Sequence, residues 1–186
     1  MRLLVAMLVT INSATYSQDI FALTPDGFRD SEGADYVVFE FEGKTQKELY
    51  DAVLLKINTS YVSPKDVLSS IESVNITING FTQKLFKWNG AVFDVNYTIS
   101  FMFKDGKVRV NAPSLNKMLG TYQRKSYEMF VCGNGGGALS DRVFIYQQKS
   151  GSLRLSSQKT TIENYFNSII NSIMKSVEEN NSNDDW

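Results

Sequence analysis

The sequence predicts a two-layer α+β domain: an antiparallel sheet with two helices packed on one of its faces. Three patterns carry that expectation. From Phe93 to Phe103, the residues Phe93, Val95, Tyr97, Ile99, Phe101 and Phe103 alternate with Asp94, Asn96, Thr98, Ser100 and Met102 without a break. That is the period of a strand with one buried face. Asp105-Gly106 follows Lys104, and Val108, Val110 and Ala112 then resume the alternation. This predicts a two-residue hairpin with positive φ at both turn positions, the return strand stopping at Pro113 because proline lacks the ladder donor. Near the C-terminus, Ile162, Tyr165, Phe166, Ile169, Ile170, Ile173, Met174 and Val177 recur three and then one residue apart, which places all eight on one helical face.

In chain order, residues 1–17 read as a secretory signal. Arg2 supplies a positive start, Leu3 to Val9 an apolar run, and Asn12 to Ser17 a polar stretch with small residues. Cleavage is expected between Ser17 and Gln18, which implies export to the periplasm or the extracellular space. No second apolar stretch of spanning length follows, so no transmembrane segment is expected in the mature chain. Residues 18–35 contain the turn signals Thr24-Pro25-Asp26-Gly27 and Ser31-Glu32-Gly33 with no periodicity, and are expected to form an extended leader.

The domain itself is expected over residues 36–177, as one unit, since 186 residues offer no obvious second core. Val37, Phe39 and Phe41 alternate with Val38, Glu40 and Glu42 as a strand. Thr45 and Glu48 have the spacing of a capping box, opening a helix whose stripe is Leu49, Val53 and Ile57 and which should end near Tyr61. Pro64 suits a helix start, but the segment to Glu72 is too short to assign. Val74, Ile76 and Ile78 mark a strand closed by Gly80. Residues 114–141 are the least legible, with a strand suggested at Tyr127 to Cys132 and a loop at Gly133 to Gly137. Val143 to Tyr146 reads as another strand, turning at Ser150-Gly151. Thr160 and Glu163 form a second box at the start of the last helix. Residues 178–186 are polar and acidic, the composition of a disordered tail.

Composition excludes whole classes of chemistry. The chain has no histidine and one cysteine, so Ser-His-Asp and Cys-His nucleophiles, histidine acid/base catalysis and most zinc or copper sites are absent. No intrachain disulfide can form. Cys132 continues the apolar run Met129-Phe130-Val131 and reads as a small buried residue. Net charge is −1, and no basic patch invites nucleic acid. Gly133-Asn134-Gly135-Gly136-Gly137-Ala138 fits a dinucleotide fingerprint by letter, but it leads toward a strand, whereas pyrophosphate binding needs a helix N-terminus there.

No catalytic, cofactor-binding or metal-ligating residues are therefore assigned, and no cofactor is implied. The leading reading is a non-enzymatic binding or interaction module of the cell envelope, with an unknown protein or small-molecule partner. A carboxylate hydrolase using Glu40, Glu42 and Asp94 is one alternative, and a structural subunit of an envelope assembly, pairing through a strand edge, is another. The sheet face turned from the helices is expected to show Glu40, Glu42, Asn75, Thr77, Asn79, Asp94, Asn96, Thr98, Ser100, Arg109 and Asn111, either as plain solvent-facing sheet or as a polar docking face. Phe81, Phe86 and Trp88 lie between Gly80 and Gly90, either packed at the sheet rim or forming a small hydrophobic contact site.

Phe39-x-Phe41-x-Gly43-Lys44-Thr45 leading to Glu48-Leu49-Tyr50, Tyr97-Thr98-Ile99 running to Lys104-Asp105-Gly106-Lys107-Val108-Arg109, and Ile162-Glu163-x-Tyr165-Phe166-Asn167 together resemble a family of exported bacterial domains of unknown function. That family is assigned a fold like that of the TATA-binding protein. The resemblance covers roughly residues 36–113 and 142–177 and departs at Lys56-Ile57, where the family has a tryptophan nearby. It implies fold and export, and no site residues.

Overall fold

The computed structural model describes residues 19–135 and 140–179. The expected signal segment and most of the acidic tail lie outside these residues. The strands are β1 (Ala22–Thr24), β2 (Gly27–Arg29), β3 (Tyr36–Glu40), β4 (Leu68–Ile71), β5 (Asn75–Trp88), β6 (Ala91–Lys104), β7 (Lys107–Tyr122), β8 (Lys125–Gly133) and β9 (Arg142–Gln147); the helices are α1 (Gln46–Ser60), α2 (Pro64–Val67) and α3 (Ser156–Glu179). β1 and β2 form a separate hairpin. The main sheet runs β4-β5-β6-β7-β8-β9, with β3 also paired to β7. Every pairing is antiparallel except β8 with β9. α1 and α3 pack against one another and against β5 on one sheet face, the two-layer α+β arrangement expected. None of the described helices is long and apolar enough to cross a membrane.

The centre of the core is β6. Phe93, Val95, Tyr97, Ile99, Phe101 and Phe103 are all buried, so its alternation was read in the correct register. Onto this face α3 lays Ile162, Phe166, Ile170, Ile173, Met174 and Val177, all buried. The Phe166 ring meets that of Tyr97 edge-on with centroids 5.0 Å apart. Tyr165 and Ile169, at the margin of the same stripe, are half-buried. α1 begins with the expected box: Thr45 Oγ1 accepts from Glu48 N–H, and the Glu48 carboxylate accepts from Thr45 N–H. Its buried stripe is Leu49, Val53 and Ile57.

Strand lengths differ from expectation where glycine and proline had been read as stops. β5 continues through Gly80 because this residue stands opposite Tyr97 in the ladder. A Cβ there would come within 2.2 Å of the Tyr97 ring, so the glycine makes room for an aromatic from the next strand. Gly120 does the same for Phe93, its register partner on the other side of β6. β7 likewise runs past Pro113. Thr98 pairs with Ser114 and Ser100 with Asn111, so Ala112 and Pro113 together face Ile99 alone. This is a bulge, where the missing proline donor is tolerated. A second shift follows between Asn96 and Tyr97. The bent β7 then pairs with β3 along its first half and with β8 along its second. The stretch least legible in the sequence thus enters the sheet, as the second half of β7 and as β8.

Three further expectations are corrected. Of the two hairpin turn residues, only Gly106 has positive φ, at 69°. Asp105 stays outside that region, and its carboxylate accepts from Gln46 N–H (2.8 Å) at the start of α1. Val74 lies before β5 and is exposed, following Ser73 with φ of 58°. α3 begins at Ser156, and Thr160 is internal to it. Glu163 makes no capping box, because its Oε1 accepts instead from Leu23 N–H (2.6 Å) and Lys159 Nζ (2.5 Å).

The largest difference is at residues 18–35. β1 and β2 form a hairpin there, with Phe21, Leu23 and Phe28 buried in the main core. Three apolar side chains in so short a stretch cannot show a period, yet all three join the core: β1 packs on α3, β2 on β7, and Phe28 meets Phe166 edge-on at 5.5 Å. The Asn167 side chain holds both backbone groups of Phe21, accepting from its N–H (3.0 Å) and donating to its C=O (2.9 Å). Tyr146 Oη donates to Leu23 O (2.5 Å).

Candidate functional site

The three candidate carboxylates are not brought together. Glu40 ends β3 with its side chain 72% exposed and paired to Lys107 Nζ at 2.8 Å. The hydrogen bond from Lys107, and then its charge, hold the Glu40 carboxyl below the usual range. A general acid needs the opposite shift. Glu42 is exposed beyond the strand end. Asp94 is ten positions along β6 from Lys104, the residue level with the Lys107–Glu40 pair, a separation of roughly 30 Å along the strand. Its Oδ1 accepts from Lys84 N–H (2.8 Å) at the β5 bulge, where Lys84 has φ of 56°. None of the three lines the concavities described below.

Cys132 lies in β8 within its apolar run but is half-buried rather than buried. The glycine stretch begins at the end of β8: Gly133 lies against the Phe144 ring and Gly135 has φ of 90°, while residues 136–139 lie outside the described ones. β9 follows at Arg142, so the chain enters a strand where dinucleotide binding would need a helix.

The open sheet face carries the expected polar residues, all exposed or half-buried, and many are bonded to each other. Thr77 Oγ1 and Ser100 Oγ are 3.0 Å apart. Thr98 Oγ1 donates to Asn79 Oδ1 (3.1 Å) and accepts from Asn116 Nδ2 (2.9 Å). This self-satisfied ladder leaves few free groups for a ligand. The face is also less polar than expected. In the register row Ile71–Asn75–Met102–Arg109–Val38, Ile71, Met102 and Val38 are exposed apolar residues. The Arg109 guanidinium lies 3.9 Å from the centroid of the Tyr36 ring.

Phe86, Phe81 and Trp88 divide. Phe86 is buried and stacks on Phe93 at 5.2 Å. Trp88 meets Tyr127 edge-on at 5.8 Å, and Phe81 is 52% exposed. Phe81 edges a cavity of about 330 Å³ with Tyr61, Tyr97 and Tyr165. The Tyr61 and Tyr97 hydroxyls are 3.1 Å apart. Burial raises both phenols above their ordinary range, and for Tyr97 the bond to Tyr61 adds to it. They are therefore neutral donors and acceptors, with no charge to offer.

The N-terminal segment, hairpin and flanks together, lines two larger concavities. The first, about 460 Å³, opens where β7 passes between the end of β3 and β8, with β2 as its wall. Leu23, Phe28, Leu115 and Val131 give it apolar surface, and Asp26, Arg29, Asp35 and Arg109 give it both signs of charge. Among the described residues no ion pair joins any two of these four. Arg109 is held by its Nε–H, which donates to Asn111 Oδ1 (2.9 Å), and by the Tyr36 ring. Arg29 donates to Phe28 O (2.9 Å). The second concavity, also about 460 Å³, lies along β3 beside Asp19, Asp30 and Glu32.

Sequence reasoning singled out Arg109 only as a surface residue and missed Asp26, Arg29 and Asp35, because they belong to the segment read as a leader. The available signal was Phe21, Leu23 and Phe28, too apolar a set to be left in water.

No family model matches the chain, and no curated protein does. Two solved structures are similar to it. A TBP-like protein from Parabacteroides distasonis ATCC 8503 has 14% identity and a TM-score of 0.48, over 75% of this chain and 90% of that one. A DUF4468 family protein from Bacteroides ovatus ATCC 8483 has 17% identity and a TM-score of 0.51, over 76% of this chain and 84% of that one. At such identity the second likeness is one of fold, and it agrees with the α+β architecture derived above.

Proposed function

We propose that the protein is an exported, non-enzymatic binding module, and that the cleft between β2 and β7 holds its ligand. One observation carries this reading: Arg29, Arg109, Asp26 and Asp35 share a concavity of about 460 Å³ without pairing to one another. Asp26, Asp35 and Arg109 are exposed and Arg29 half-buried, so all four are open to a ligand, and a few polar groups over an apolar lining is the usual composition of a ligand site. Opposite charges beside Leu23, Phe28, Leu115 and Val131 match a small molecule with a carboxylate, an ammonium and an apolar body. A hydrophobic dipeptide has that chemistry.

The test is a titration of leucyl-phenylalanine, followed by the methyl resonances of Leu23, Leu115 and Val131. Saturable shifts at these three are expected, with affinity falling about tenfold in Arg109→Ala. Shifts scattered over the surface, or none, would remove the cleft as the site. Turnover of a glycoside or ester that disappears in Glu40→Gln would overturn the non-enzymatic reading.

Export rests on Arg2, the apolar Leu3 to Val9 run and the small-residue stretch to Ser17. Protein recovered from the periplasm or medium should have the intact mass of a chain beginning at Gln18. Recovery only from the cytoplasm, with Met1 to Ser17 still attached, would remove it.

A further inference from the structure

The outer edge of β3 offers a second surface, independent of the ligand cleft. Phe41 N–H donates to Gly106 O (2.8 Å) and Ala112 N–H to Asp35 O (2.8 Å). In an antiparallel ladder the N–H and C=O of one residue point to the same side, and successive residues alternate. Residues 35, 37, 39 and 41 therefore turn their backbone groups to β7, and Tyr36, Val38 and Glu40 turn theirs away from it.

The other sheet borders are guarded. β4 has four residues, and the part of β5 beyond it carries a bulge and Lys84. On β9, Tyr146 bridges to Leu153 and Ile145 O accepts from Arg154 N–H. β3 has no proline, lysine or bulge, the devices that usually block strand addition. Beside it runs the groove of about 460 Å³ with Asp19, Asp30 and Glu32 on its walls and no lysine or arginine lining it. In the same groove Asn171 presents a buried Oδ1 that has no hydrogen-bond partner. A buried acceptor left in that state is costly, and a peptide or ammonium N–H would satisfy it.

We propose that this edge receives an extended, basic peptide strand from a partner protein. Main-chain bonds to Tyr36, Val38 and Glu40 would supply the pairing, and the three carboxylates would select lysine or arginine side chains over acidic ones.

Calorimetric titration of the full chain with a blocked hexapeptide of alternating valine and lysine tests this, beside the same peptide with glutamate in place of lysine. The basic peptide should bind and the acidic one should not. Val38→Pro should weaken binding about tenfold and leave thermal unfolding unchanged, because the deleted donor faces away from β7. Val37→Pro, which deletes a donor that faces β7, should lower the melting temperature and serves as the control for folding. Glu32→Gln should weaken the basic peptide alone. The proposal is overturned if both peptides bind equally or neither binds. It is also overturned if Val38→Pro binds like the parent, or if it dissolves a dimer of the chain, which would make a second copy the occupant.

Discussion

Ile170→Asp should leave no cooperative transition in a urea melt. Ile170 is fully buried on α3, in the stripe that covers β6. Aspartate there loses the apolar burial of the isoleucine and places a carboxylate inside the hydrophobic core, where an unpaired charge is costly. Such a change costs about 5 kcal/mol or more, and the whole stability of a domain is about 5–15 kcal/mol. Ile170→Val is the control. It removes one methylene from the same site and should cost about 1 kcal/mol with an unchanged urea slope. If Ile170→Asp melted cooperatively within about 2 kcal/mol of the parent, α3 could not be part of the core, and the two-layer architecture would fail with it.

Asn167→Ala should lower stability by about 3 kcal/mol and loosen the N-terminal hairpin first. Asn167 is 4% exposed, and its amide bonds both backbone groups of Phe21. Alanine would leave that N–H and C=O buried without partners, at about 1–3 kcal/mol each. Asn167→Asp should be no better, since a carboxylate can accept from Phe21 N–H but has no donor for its carbonyl and must bury a charge. Amide exchange at Leu23 and Phe28 should quicken by more than global unfolding explains. A loss under about 1 kcal/mol, with exchange at Leu23 unchanged, would mean that Phe21, Leu23 and Phe28 hold the hairpin without the asparagine. The change should also weaken dipeptide binding, because β2 is a wall of the cleft.

Regular elements were legible in proportion to the length of their periodic signal. Six apolar residues of β6 and eight of α3 each describe one face of one element, and a long run of period two or near 3.6 has no competing interpretation. The Thr45–Glu48 box was legible because both partners of the cap lie within four residues of each other. The Thr160–Glu163 pair has the same spacing and makes no box. Its glutamate is taken by Leu23 N–H, 140 residues away in the chain, and nothing local announces that competition.

The candidate site was hardly legible for the same reason. Asp26, Arg29, Asp35 and Arg109 come from a hairpin, a loop and a strand, and they share a cleft only because α3 and Tyr146 hold the hairpin against the sheet. Gly80, Gly120 and Pro113 show the same limit inside the sheet. In isolation each is a strand breaker. Opposite Tyr97, opposite Phe93 and within a bulge, each is compatible with a continuing strand.

By itself the sequence determined the α+β class, the buried faces of β6 and α3, the start of α1, and the absence of histidine chemistry. These depend on residue type and on spacing along the chain. Tertiary structure alone decided that residues 19–35 belong to the core, that β7 bends to serve both β3 and β8, and which backbone groups of β3 remain unpaired. Those depend on which distant side chain or strand reaches a given backbone group first, and that competition is settled in space.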